Sequence, residues 1–165
     1  MALTFDALQA IMKVEGIRYF VDPNQPVVLF TMGGPHGTFQ ITISVQDDGR
    51  FLQMRTYGLL ECPATHPNLA VVLRALASAN CNRRFVKLGW DQNDGEIMAY
   101  GDLWVVDGTV TQEQFSRMVG NFFSTVDLEY ERLRQTRDTG RDPGPISFTP
   151  SPEGPAGSGG EVSKI

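Results

Sequence analysis

Cysteine is scarce. Cys62 and Cys81 are the only two in 165 residues, too few for the disulfide framework of a small secreted protein. Histidine is as rare, with His36 and His66 alone, and no C-x2-C or H-x3-H pair offers zinc its usual spacing. One C-x3-H, Cys62 with His66, remains. His66 reads better as an exposed helix cap, and Cys81 as a buried small residue on an apolar helix. Basic charge is in the minority, 14 Lys and Arg against 19 Asp and Glu, for a formal net charge of −5. Beyond Arg83-Arg84 and the series Arg132, Arg134, Arg137 and Arg141 there is no dense basic face, which argues against nucleic-acid binding. Apolar runs fall short of the ~20 residues of a membrane span. The stretch MALTFDALQAIMKVEG has neither the basic region nor the long apolar run of a signal peptide. The expectation is a protein of the reducing cytoplasm with no membrane partner.

Catalytic patterns are also wanting. The serines lie on a strand face, in helices or near the C-terminus, outside any G-x-S-x-G turn. The glycine-rich GGPHG at 33–37 is followed by no Lys-Ser/Thr and opens no helix, so it reads as a wide strand connection rather than a phosphate cradle. No catalytic residue, metal site or cofactor is expected.

What is present is periodic. Phe5, Leu8, Ile11 and Met12 recur at helical spacing behind Thr4, a natural N-cap, and Gly16 stops that helix. IRYFVD and PVVLFTM have strand composition. In TFQITISVQ, Phe39, Ile41, Ile43 and Val45 alternate with polar residues, the period of a half-buried strand. Asp47-Asp48-Gly49 then predicts a hairpin into RFLQMRTYG. A helix is expected from Pro67, capped by Thr65 or His66, with Arg74 as its only formal charge over PNLAVVLRALASAN. So apolar a helix points to a core position or a subunit contact. RFVKLGW and EIMAYGDLWVVD are further strands. The second carries Ile97, Ala99, Leu103 and Val105 on one face and Met98, Tyr100 and Trp104 on the other, so both faces should be at least partly covered. Thr111 and Gln114 form a capping box for a helix from 112 to about 134, with Phe115, Met118, Val119, Phe122, Val126, Tyr130 and Leu133 as its buried stripe. Residues 1–137 make one domain. Residues 138–165, rich in Pro, Gly and Ser, cannot offset their ordering entropy by burial and read as a disordered tail.

WDQNDGE, at 90–96, raises the question of calcium. An EF-hand loop needs glycine at its sixth position and a bidentate Glu at its twelfth. Counting from Asp91, Gly95 is fifth and Asp102 twelfth; counting from Trp90, the first carboxylate is lost. The flanks have strand rather than helix period, so this is a hairpin turn, where Asn-Asp-Gly accepts left-handed backbone angles.

The same residues carry a resemblance. Trp90-Asp91, Asp94-Gly95-Glu96, Asp107-Gly108, Thr111, Glu113-Gln114-Phe115 and Val126-Asp127 resemble in spacing the final third of bacterial YbjN-domain proteins, and the element order is similar over residues 1–135. Trp104, where a small aliphatic residue is more usual, and the C-terminal tail depart from that pattern. The resemblance implies a sensory transduction regulator with a type III secretion chaperone-like fold: α+β, an antiparallel sheet of five to six strands in the order α-βββ(β)-α-ββ-α. It implies the first and third helices on one sheet face, with the apolar second helix or the opposite face left for a partner. Function is then expected to be non-enzymatic binding of a polypeptide client, with homodimerisation, through Leu69, Val72, Leu76, Tyr100 and Trp104. The competing expectation is a small-molecule or ion regulator with its site near Gly33-Gly34 and His36 or at the WDQNDGE turn.

Overall fold

The computed structural model describes residues 2–147. Along the chain run α1 (Phe5–Val14), β1 (Phe20–Val21), β2 (Val27–Gly33), β3 (Thr38–Gln46), β4 (Phe51–Glu61), α2 (Leu69–Asn82), β5 (Val86–Trp90), β6 (Glu96–Trp104) and α3 (Gln112–Thr139). All strands join one antiparallel sheet in the order β1-β2-β3-β4-β6-β5, the α+β architecture expected from the sequence.

Register follows the hydrophobic alternation. Val28, Ile43, Met54, Gly101 and Val86 are successive cross-strand partners and all are buried. Period two therefore commits this whole face to the interior. Leu8 and Met12 of α1, Val72, Ala75, Leu76 and Ala79 of α2, and Phe115, Phe122, Val126 and Leu133 of α3 join the same core. Burial of each such large side chain contributes about 1.5–3 kcal/mol. All three helices thus cover one face of the sheet, and α2 packs its apolar side on α3 and β5. Of the two surfaces expected for a partner, the opposite sheet face is the one left open. No helix among the described residues is long and apolar enough to cross a membrane.

The helix ends obey local chemistry. Thr4 Oγ1 accepts from the Ala7 N–H at 3.1 Å, and Thr111 and Gln114 form the expected reciprocal capping box. Several boundaries moved. IRYFVD forms a strand over Phe20–Val21 alone. The second helix begins at Leu69 with Asn68 as N-cap; half-buried His66 does not cap it but accepts the Asn68 N–H on its ring nitrogen. Asp47 and Asp48 both adopt positive φ within a short 3-10 turn, a longer connection than a two-residue hairpin, using the tolerance of aspartate for left-handed angles. Cys81 is exposed and Cys62 buried, the reverse of the expected burial for Cys81. The α2 stripe at 72, 75, 76 and 79 turns position 81 outward. The last helix passes the expected limit of 134 and ends at Thr139. Of the segment expected to be a tail, Asp142 pairs with the α3 side chain Arg132, while 148–165 lie outside the described residues.

Candidate partner-binding face

A row of side chains crosses the open face from edge to edge: Phe20, Leu29, Thr42, Arg55, Tyr100 and Lys87, each the register partner of the next. Five strand gaps make it roughly 24 Å long. Flanking rows bring Val27, Ser44, Gln53 and Asp102, then Phe51 and Trp104. Trp104 is 70% exposed, and its ring meets Phe51 edge-on with centroids 5.1 Å apart. A hollow of about 380 Å³ lies at the WDQNDGE turn, lined by Gly89, Trp90, Asp91, Gln92, Asn93 and Met98, and two more indent the β1–β4 half of the face. An apolar one of about 360 Å³ is lined by Phe20, Val21, Pro23, Val27 and Leu29. A polar one of about 220 Å³ is lined by Ser44, Gln53, Arg55 and Tyr57, and Val27, Thr42 and Asp22 border both.

The five expected contact residues divide. Val72 is fully buried and Leu76 is 8% exposed, both in the core beneath α2, and Leu69 is half-buried at the start of that helix. Tyr100 and Trp104 lie on the open face, Tyr100 half-buried. Strand β6 is therefore covered on its Ile97 and Ala99 side, while its Trp104 side stays open. Phe20, Leu29 and Arg55 were not singled out from the sequence. PVVLFTM is apolar at consecutive positions, a signal that both of its faces meet something apolar, but only pairing register aligns Leu29 with Arg55.

The edges of the sheet differ. The side-chain amide of Asn80 donates to the Leu88 carbonyl at 2.9 Å and accepts the Leu88 N–H at 2.8 Å. It thereby occupies the outward groups of β5 and blocks strand addition there. At the other edge β1 is two residues long, with Phe20 and Val21 exposed.

The candidate small-ligand residues are engaged with the protein itself. Asp91 Oδ1 accepts from the Asn93 N–H and side-chain amide, both at 2.8 Å, and Asp94 Oδ1 accepts from the Glu96 N–H at 2.9 Å. The turn closes through Gly95 N–H to Asp91 O and Asp91 N–H to Glu96 O, both 2.8 Å. The GGPHG loop is a clamp on α3. His36 Nδ1 lies 2.7 Å from Asp127 Oδ2, and the His36 N–H donates to Asp127 Oδ1 at 3.0 Å. A Cβ at Gly34 would fall 2.6 Å from Asp127 Oδ1 and 2.9 Å from Phe123 Cζ, so a larger residue there would have to displace this clamp. Burial pushes the Cys62 thiol above its ordinary pKa, against a smaller opposing pull from Arg137, which removes its nucleophilic form at neutral pH.

Charge is also buried between α2 and α3, a burial that helical spacing alone does not reveal. Arg132, 2% exposed, holds Asp142 through Nη2 at 2.6 Å and Nε at 2.8 Å, and sits 3.6 Å from Glu129. Arg83 reaches Glu129 at 2.7 Å.

With this geometry in hand, the chain matches the family model of YbjN, described as "Putative bacterial sensory transduction regulator", over residues 4–135. The chain belongs to the YbjN family. A search of curated protein sequences matched none. Among solved structures it is similar to E. coli YbjN, with 22% identity, a TM-score of 0.60 and coverage of 78% of this chain and 91% of that one. The ExsC–ExsE complex gives 14% identity, a TM-score of 0.51 and coverage of 81% and 97%. The HopA1–SchA chaperone–effector complex gives 16%, 0.50, 79% and 90%. At these identities the likeness is one of fold, and this YbjN-family chain shares the architecture of type III secretion chaperones.

Proposed function

We propose that this YbjN-family chain is a non-enzymatic binding module that seats a polypeptide on the open face of its sheet. The observation that carries the reading is one-sided coverage: three helices occupy one face, while Phe20, Leu29, Tyr100 and Trp104 stand on the other. Large apolar side chains left exposed at two corners of a mixed face, Phe20 and Trp104, mark a contact surface on a small domain. The chaperone–effector complex of the same fold supports a polypeptide occupant. Affinity would come from burying the apolar side chains, with strand addition limited to the β1 edge by Asn80. A second copy of the chain is one such polypeptide, since two-fold pairing of the Trp104 corners would cover the most exposed tryptophan. The two free cysteines suit a reducing cytoplasm.

Light scattering of the full chain, repeated with Trp104→Glu, tests the self-pairing arm. The expected mass is twice 18.2 kDa, falling to one chain in the variant. Trp104 is exposed, so its loss should cost less than about 0.5 kcal/mol of fold stability. A wild-type monomer at every concentration, with peptide binding indifferent to Trp104→Glu, would remove this corner from the interface.

A further inference from the structure

We infer that the open face selects an acidic segment: a carboxylate placed on Arg55, with a large apolar side chain in the neighbouring hollow of Phe20, Val27 and Leu29. The inference rests on the polypeptide-binding reading and adds the chemistry of the partner. Arg55 stands mid-face between Thr42 and Tyr100. Its guanidinium lies over the Tyr57 ring, 4.6 Å from the centroid, and Nη2 reaches the Met98 sulfur at 3.2 Å, a weak acceptor. Its Nε is shut from solvent and has no acceptor among the described residues, so a partner's carboxylate would meet the two Nη groups. Arginine presents a planar fork of donors that a carboxylate satisfies two at a time.

The other charged side chains on this face hydrogen-bond to neutral groups. Asp22 accepts from the Asn24 N–H at 2.8 Å and Asp102 from the Gln53 side chain at 3.0 Å. Glu96 accepts from the Gly58 N–H. Lys87 points Nζ at the carbonyls of Asn80 and Arg83, both 3.4 Å away. In a chain of net charge −5, Arg55 at mid-face and Lys87 at the β5 edge pair with no carboxylate among the described residues, and of the two only Arg55 lines the hollow that adjoins Val27. Diffuse attraction of anions is weak against that background, so selection depends on placing one carboxylate at one spot. Thr42, Ser44 and Gln53 line the same hollow and add neutral hydrogen-bonding groups around it. Leu29 lies two strands from Arg55, about 10 Å, a separation matched by positions i and i+7 of a helix at about 1.5 Å per residue.

The test uses fluorescein-labelled, alanine-based helical peptides carrying Leu at one position and Glu or Gln seven residues on, titrated with the full chain and followed by anisotropy. The Glu peptide is expected to bind about tenfold tighter than the Gln peptide at low salt, the preference shrinking as salt rises. Arg55→Gln should bring the ratio to about one, and Arg55→Lys should keep part of it. Equal binding of the two peptides to the wild type overturns the carboxylate selection and leaves polypeptide binding intact. A ratio unaltered by Arg55→Gln overturns Arg55 as the anchor. Displacement of the Glu peptide by sodium acetate at equal concentration makes this a small-anion site and overturns the peptide. Failure of both peptides to bind overturns the inference together with the reading beneath it.

Discussion

Arg132→Met is expected to lower the free energy of unfolding by about 3 kcal/mol in a urea titration, because removing one partner of a buried ion pair strands the other. Arg132 is held between Asp142 and Glu129 and also reaches Ser78 Oγ at 3.3 Å. Without it, Glu129, itself 1% exposed, keeps Arg83 alone, and its Oε2, which has no hydrogen-bond partner, loses its ion-pair contact with Arg132 as well. Retention of Arg83 places the loss at the lower end of the usual range for such breaks, about 3–5 kcal/mol. For a domain of this size that is a fall in Tm of about 6–12 °C. Unchanged stability would mean that water solvates this cluster well enough to make it dispensable. The pair has a pH signature as well. Hydrogen bonds from Arg132 hold the Asp142 carboxyl below its ordinary pKa, with burial opposing. A carboxyl lowered in the folded state stabilises above its unfolded pKa, and that contribution is lost as pH falls through the lower folded value. Wild-type stability should therefore decline below about pH 4, with a shallower slope in Arg132→Met; parallel slopes would detach Asp142 from the cluster.

Gly95→Ala is expected to cost about 2–5 kcal/mol, seen as a lower urea midpoint at unchanged m-value. Two causes act together. Gly95 has φ +81°, outside the range alanine adopts without strain, and an added Cβ would lie 2.6 Å from Pro63 Cα and 2.8 Å from the Cys62 carbonyl oxygen. Those neighbours are backbone, fixed by the Cys62 N–H to Gly95 carbonyl bond at 2.8 Å and by the Trp90 indole donating to the Cys62 carbonyl at 2.9 Å. Little can yield. Gly120, with open space around its Cβ direction, is the matched control, and Gly120→Ala should be neutral or slightly stabilising in its helix. Equal effects at the two positions would show that the WDQNDGE turn is free to rearrange.

That turn shows how much could be read in advance. Glycine one place out of register was enough to set calcium aside in favour of a hairpin, because the spacing of an ion loop is a local property. Period-two alternation in β3 and the Thr111 capping box were legible for the same reason. The second helix was harder. Its composition admitted either a core or a subunit contact, and nothing local separates them. Packing on α3 and β5 put Val72 and Leu76 inside and turned Cys81 out. On the long helix, Asp127, Glu129 and Arg132 fall outside the apolar stripe that helical spacing defines. They are buried because the GGPHG loop and Arg83 reach that helix from elsewhere in the chain.

By itself the sequence determined the elements, their order, the inward face of β3 and the family, since each depends on residues close in sequence or on their spacing. Only the tertiary structure decided which surface stays open and that Phe20, Leu29, Arg55 and Tyr100 share one row. Strand pairing joins positions far apart in the chain, and one residue of slip in register would scatter that row over two faces.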